Sequence, residues 1–153
     1  MKTCVMCKGR LEAVTVGEVI DVDGHAFAAR IPAARCTSCG ETFIGAEDLA
    51  AFETAVAVRL ADAGASSPGA FRFMRKAVGL KASDLAALLD VTAETMSRWE
   101  NGKVPIPRAP AALLGAMVRD AAEGRTVTRD ALARLGNPRK LGKRVRVTVK
   151  GAA

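Results

Sequence analysis

ASDLAALLDVTAETMSRWENGK, residues 82–103, is the stretch from which the fold of the helical part of this chain can be read. Leu85, Leu88 and Leu89 recur at helical spacing, Asp90-Val91-Thr92 interrupts the run, and a second helix follows. Thr92 is a natural N-cap for that helix and Asn101-Gly102 a natural stop. Met96 and Trp99, the single tryptophan, lie three apart and face a core, whereas Glu94 and Arg98 lie four apart on another face beside Ala93 and Ser97. A helix that enters a DNA groove needs small residues at its start and a long fork-shaped donor such as Arg98, able to grip guanine O6 and N7. An ordinary solvated helix face carries the same residue types. The candidate DNA-facing residues are Thr92, Ala93, Glu94, Thr95, Ser97, Arg98 and, just past the helix, Lys103.

Further helices are predicted on both sides. Phe71, Met74 and Val78 mark one that ends at Gly79. Pro110 suits the first turn of another running to Gly124, and Thr128 is placed to cap a last one, closed by Gly136 and Pro138. Helix, short turn, helix, with helices around them, is the layout of a helix-turn-helix DNA-binding domain, expected over 70–137.

The N-terminal third reads differently. All four cysteines fall in two pairs, Cys4-Val-Met-Cys7 and Cys36-Thr-Ser-Cys39. Two such knuckles facing each other make a tetrahedral four-thiolate site suited to one structural Zn2+ with no open position for a substrate water. Between them, Val14–Val16, Val19–Val22 and Ala26–Ile31 are short strand-like runs, with Asp23-Gly24 as a hairpin turn. The expectation is a zinc ribbon over 1–45. Thiol redox chemistry is the rival reading, but a thioredoxin-like site needs one pair at a helix start in a βαβ framework, and none is visible. His25, beside the turn, is expected to be exposed and not a ligand.

Residues 46–69 are expected to connect the two parts. Leu49, Phe52, Val56 and Leu60 recur at helical spacing behind Glu47-Asp48, and GASSPGA (64–70) reads as a flexible linker that lets the two parts move. The fold class is therefore α+β and multidomain: a small β-rich ribbon followed by an all-α domain.

The 153 residues carry a formal net charge of +7, unevenly placed. Six bases and no acid lie beyond residue 138, the segment 71–110 is net +3, and 41–62 holds five acids against Arg59. A basic C-terminal half favours a polyanion, nucleic acid first. The tail 138–153 alternates Val145, Val147 and Val149 with Arg146, Thr148 and Lys150, which fits a short strand as well as a disordered arm that places Lys143 and Arg144 on phosphates. No apolar run approaches a membrane span, and the start lacks a signal-peptide core, so a soluble cytoplasmic protein is expected. No Ser/His/Asp set, phosphate-binding glycine loop or paired carboxylates points to an enzyme.

Two resemblances sharpen this reading. GLKASDLAALLDVTAETMSRWENGK (79–103) resembles the helix-turn-helix of the Cro/repressor-like (XRE) regulators. CVMC…IPAARCTSCGETFIGAEDL resembles the N-terminal zinc domain of the MqsA (YgiT-type) antitoxins, whose module order is the same. Together they cover roughly residues 1–120. The resemblance implies a homodimer on palindromic double-stranded DNA, a zinc domain that contacts a toxin protein, and Arg98 as the base-reading arginine. Glu94 departs from an Asn that a relative can carry there. As an acceptor only, it either reads a cytosine amino group or holds Arg98 in place. Lys81 and Ala82 replace the usual Thr-Gln start of the first motif helix, leaving Ser83 to cap one turn later. Asp90 replaces the usual turn glycine, and Asp tolerates the left-handed conformation.

The expected function is a sequence-specific repressor, the antitoxin of a type II toxin–antitoxin pair that regulates its own operon. A stand-alone zinc-containing regulator without a toxin is the alternative, and a thiol oxidoreductase the remote one. Leu113, Met117, Leu132 and Leu135 are candidates for either the dimer surface or the core.

Overall fold

A computed structural model describes residues 3–151. A three-stranded antiparallel sheet precedes six helices. The three expected short runs merge into two twelve-residue strands, β1 (Leu11–Val22) and β2 (His25–Cys36), in continuous register from Leu11↔Cys36 to Val22↔His25. Asp23 and Gly24 both take positive φ, 51° and 80°, the signature of the tight turn that suits a right-twisted hairpin. Gly17 and Pro32 disguise the length of these strands in the sequence. Pro32 is tolerated because β3 (Thr42–Phe43) pairs only with Ala34 and Arg35, so at Pro32 that side of β2 is an open edge with no ladder to break.

Helix α1 (Ala46–Asp62) is more than a connector. It packs on β2, on α2 (Pro68–Ala77) and on α5 (Arg108–Ala122), and its Phe52, Val56, Ala57 and Leu60 are buried. Val22 and Ile31 of the hairpin share one core cluster with Phe71, Met74, Leu85, Met96, Trp99 and Leu114 of the helices. Arg119 fastens α5 to the end of α1, bonding Asp62 at 3.0 Å and the Ala61 carbonyl at 3.1 Å.

Part of the segment expected as a linker belongs to α2. Gly64 closes α1 with φ 66°, and Ser67 already caps α2, accepting from the Ala70 amide at 3.3 Å, with Pro68 at the first helical position. The hairpin tip docks here: the Asp23 carboxylate accepts from the Ser67 hydroxyl and from the Ala70 amide at 3.2 Å. Gly69 is required for this contact, because a Cβ there would overlap the Asp23 carboxylate. An apolar-run reading sees Ser, Pro and Gly as breakers. Their actual use is a helix start that holds a carboxylate from 44 residues away.

Helices α3 (Ala82–Leu88) and α4 (Ala93–Glu100) form the central pair, followed by α5 and α6 (Val127–Gly136). Two expected caps are displaced. Ser83 lies inside α3, and Lys81 holds the cap position, where its amide donates to Asp84 at 3.3 Å. Thr126, not Thr128, precedes α6; the Thr128 amide instead donates to Asp120 at 2.7 Å. Among the described residues no helix is long and apolar enough to cross a membrane.

Candidate nucleic-acid interface and metal centre

α3 runs through Leu89 into Asp90, whose φ of 54° is the left-handed turn conformation. The Val91 amide donates to the Ala86 carbonyl, and Thr92 then starts α4, its hydroxyl accepting from the Thr95 amide at 3.1 Å. Every link of this turn is local, which is why residues 82–103 announce it. Met96 is fully buried, and Trp99 meets Phe71 edge-on at 6.1 Å between ring centroids.

Sequence reasoning missed the strongest polar contact on α4. Glu100 is buried, and Arg75 of α2 grips it in a two-pronged pair, Nε–Oε1 at 2.5 Å and Nη2–Oε2 at 3.0 Å. Arg75 also donates to the Leu80 carbonyl at 2.8 Å, and Arg72 donates to the Glu100 carbonyl at 2.5 Å. A buried bidentate pair has well-defined geometry. It fixes where the inner face of α4 sits and hence where the outer face points. The only sequence signal was a charged residue next to Trp99 on the apolar side of the helix, with its partner 25 residues earlier.

The outer face holds the expected set. Thr92, Ala93, Glu94, Ser97, Arg98 and Lys103 are exposed. Thr95 is half-buried, and its hydroxyl lies 2.9 Å from that of Thr92, so it completes the cap. Glu94 Oε1 lies 3.5 Å from Arg98 Nε, an exposed pair that orients the guanidinium without burying it. Lys143 and Arg144 lie on the exposed tail.

At the other end of the hairpin the four cysteine sulfurs lie within 4.8 Å of one another. All are free thiols. Cys4 and Cys39 are 3.7 Å apart, Cys7 and Cys36 3.4 Å. Four thiolates about 2.3 Å from one tetrahedral ion would sit about 3.8 Å apart. The cluster therefore has the size and donor set of a four-thiolate metal site. Backbone bonds shape both knuckles, Lys8 to Cys4 and Gly40 to Cys36, and Gly9 lets them meet, since a Cβ there would press on Ser38 and the Cys36 sulfur. The amides of Cys39 and Ser38 lower the Cys36 thiol to about 6. The Glu41 amide acts the same way on Cys39, but the facing sulfurs of Cys7 and Cys36 outweigh it and push that thiol up to about 12. Four crowded thiolates need a cation. Cys4 and Cys36 are buried, Cys7 and Cys39 exposed, and His25 lies at the far end of the hairpin, so it contributes no ligand.

Residues 69–135 match a protein family described as "Helix-turn-helix domain". The match spans α2 to α6 and covers less than half of the 153 residues. No curated protein and no solved structure matches the chain. The matched segment and the geometry of α3 and α4 agree on a helix-turn-helix arrangement, which supports a DNA-binding regulator.

Proposed function

We propose that the protein is a sequence-specific transcriptional repressor that reads DNA with the outer face of α4. The observation that carries this reading is the two-sidedness of α4. Its inner face is locked by Met96, Trp99 and the Arg75–Glu100 pair, while Arg98 stands exposed over Ala93 and Ser97 with a single carboxylate steering it. Arg98 takes guanine in the major groove, and Ala93 and Ser97 allow close approach. Lys103, Lys143 and Arg144 contact phosphates. The protein acts as a symmetric homodimer on a palindromic operator, with half-sites one helical turn or a multiple apart. Cys4, Cys7, Cys36 and Cys39 hold one Zn2+, which neutralises the thiolates and supplies folding energy to a ribbon too small to fold on its own core.

The ribbon–helix order further supports an antitoxin role, in which the N-terminal part engages a toxin and the helical part represses the shared operon. The thiol-oxidoreductase alternative finds less support, because the four sulfurs form one cluster with the donor set of a metal site. Selection of binding sites from random duplexes with the full chain tests the DNA reading. Enrichment of a palindrome with conserved guanine in each half-site is expected, and an unenriched pool would overturn it. Co-purification of a small protein encoded beside this chain, lost when the hairpin surface is altered, tests the antitoxin role.

A further inference from the structure

The C-terminal segment is built as if for another surface. Helix α6 contains no buried residue, although it packs on α3 and α5 and carries Leu132 and Leu135. Among the described residues, six of the eleven exposed large apolar side chains lie in 127–149, with Leu135 at 78% and Leu141 at 83%. Through residue 151 the tail beyond α6 has no regular secondary structure, and its Val145, Val147 and Val149 are all exposed. Beside the place where the tail leaves α6 lies an open groove of about 730 Å³, walled by Leu88, Leu113, Leu132 and Leu135. Its charged lining is two acids, Asp84 and Asp90, and one base, Arg129.

We infer that the tail of one copy lies in the α3–α6 groove of a second copy, and the second copy's tail in the groove of the first. This rests on the homodimer reading above and names its contact. The leucine wall of the groove and the three valines of the tail are apolar, and the valines stay exposed within one chain. A reciprocal exchange covers both at once and satisfies two-fold symmetry. Charge selects the same partner: the tail holds six bases and no acid, while the groove lining is net acidic. In an extended strand Val145, Val147 and Val149 share one face, so they enter the groove while Arg144, Arg146 and Lys150 stay outside it. Twelve extended residues from Arg139 to Lys150 reach about 40 Å, enough to cross to a neighbouring domain.

The test is sedimentation of the full chain carrying Val145→Ser, Val147→Ser and Val149→Ser, beside Leu135→Ser and the unaltered protein. The tail valines are exposed within one copy, so the fold should persist, checked by circular dichroism. A fully buried valine is worth about tenfold in association. Both variants are therefore expected to raise the dimer dissociation constant, the triple variant by about 100-fold or more. A photo-crosslinking side chain at position 147 should join isotope-labelled to unlabelled copies, at peptides containing Leu113 or Leu132. If the unaltered protein dimerises and the triple variant does so equally well, the tail contact is wrong and the homodimer reading survives. If the unaltered protein is a monomer on and off DNA, both fail. A triple variant that stays dimeric but loses affinity for all DNA alike would also overturn the contact and leave the tail on nucleic acid alone. Crosslinks confined to one copy would overturn the exchange.

Discussion

Replacing Glu100 by Gln should be among the most damaging single changes in the helical domain. The Glu100 and Arg75 side chains are each 9% exposed, and their two hydrogen bonds close at 2.5 and 3.0 Å. Removing one partner of a buried pair strands the other charge and costs about 3–5 kcal/mol. When Arg75 is the partner lost, Arg72 cannot take over, since it lies 3.7 Å from the carboxylate and is 42% exposed, where solvent screens it. The whole domain is worth about 5–15 kcal/mol. With a urea slope of about 2 kcal/mol/M, Glu100→Gln should lower the unfolding midpoint by about 2 M. Arg75→Met should behave similarly. The double variant Arg75→Met, Glu100→Leu removes both charges and should recover most of the loss, because an apolar pair of similar volume is often neutral or better. Urea titrations followed by Trp99 fluorescence and by circular dichroism give all three values. Loss below about 1 kcal/mol in Glu100→Gln, or strictly additive losses in the double variant, would refute the claim that this pair positions α4.

Protein purified without added zinc should carry one zinc per chain, and Cys36→Ser should lose both the metal and the protease resistance of residues 3–43; a metal-free wild type with reduced thiols and an intact ribbon would contradict the site. Asp120 is held below the usual carboxylate range by the Thr128 amide first, then by the Thr128 hydroxyl and Arg125. Its contribution to stability is therefore present above about pH 4 and lost as pH falls through the lowered folded-state value. The stability gap between wild type and Asp120→Asn should accordingly be open at neutral pH and close in acid, and a gap constant with pH would contradict the assignment. Asp23→Gly keeps the left-handed turn but removes the carboxylate over α2, and should cost about 1 kcal/mol, the worth of a helix cap. It should also speed proteolytic cleavage at residues 64–66, and unchanged cleavage would mean that the hairpin tip is not a fastening.

What the sequence revealed was what is local. The caps and breaks of α4, the hairpin turn and the cysteine pairs each act within a few residues, so composition and spacing expose them. Contacts across the chain stayed hidden. Arg75 and Glu100 entered only the net charge of 71–110, with nothing to pair them, and Asp23 read as turn chemistry alone, although it also binds the start of α2. α1 read as a connector because its stripe does not name a partner; in the fold it is shared by sheet and helices. Thr128 was expected to cap α6 with its side chain, but Asp120 bonds its amide from the preceding helix. Of the four residues offered as dimer surface or core, Met117 is core, Leu113 and Leu132 are half-buried, and Leu135 is exposed. Periodicity alone cannot make that division, since it assigns a face and not the depth of what covers it.

Whether Arg98 reads a base is decided by comparing Arg98→Ala with the unaltered protein on selected and random duplexes at one fixed salt concentration. The Arg98 side chain is exposed and pairs with the equally exposed Glu94, so the variant should fold normally, with Trp99 still buried. Affinity for the selected site should fall by about 1–3 kcal/mol, roughly 5- to 150-fold, with little change on random DNA. Equal affinities of the folded variant and the unaltered protein for both duplexes would show that α4 does not read the sequence.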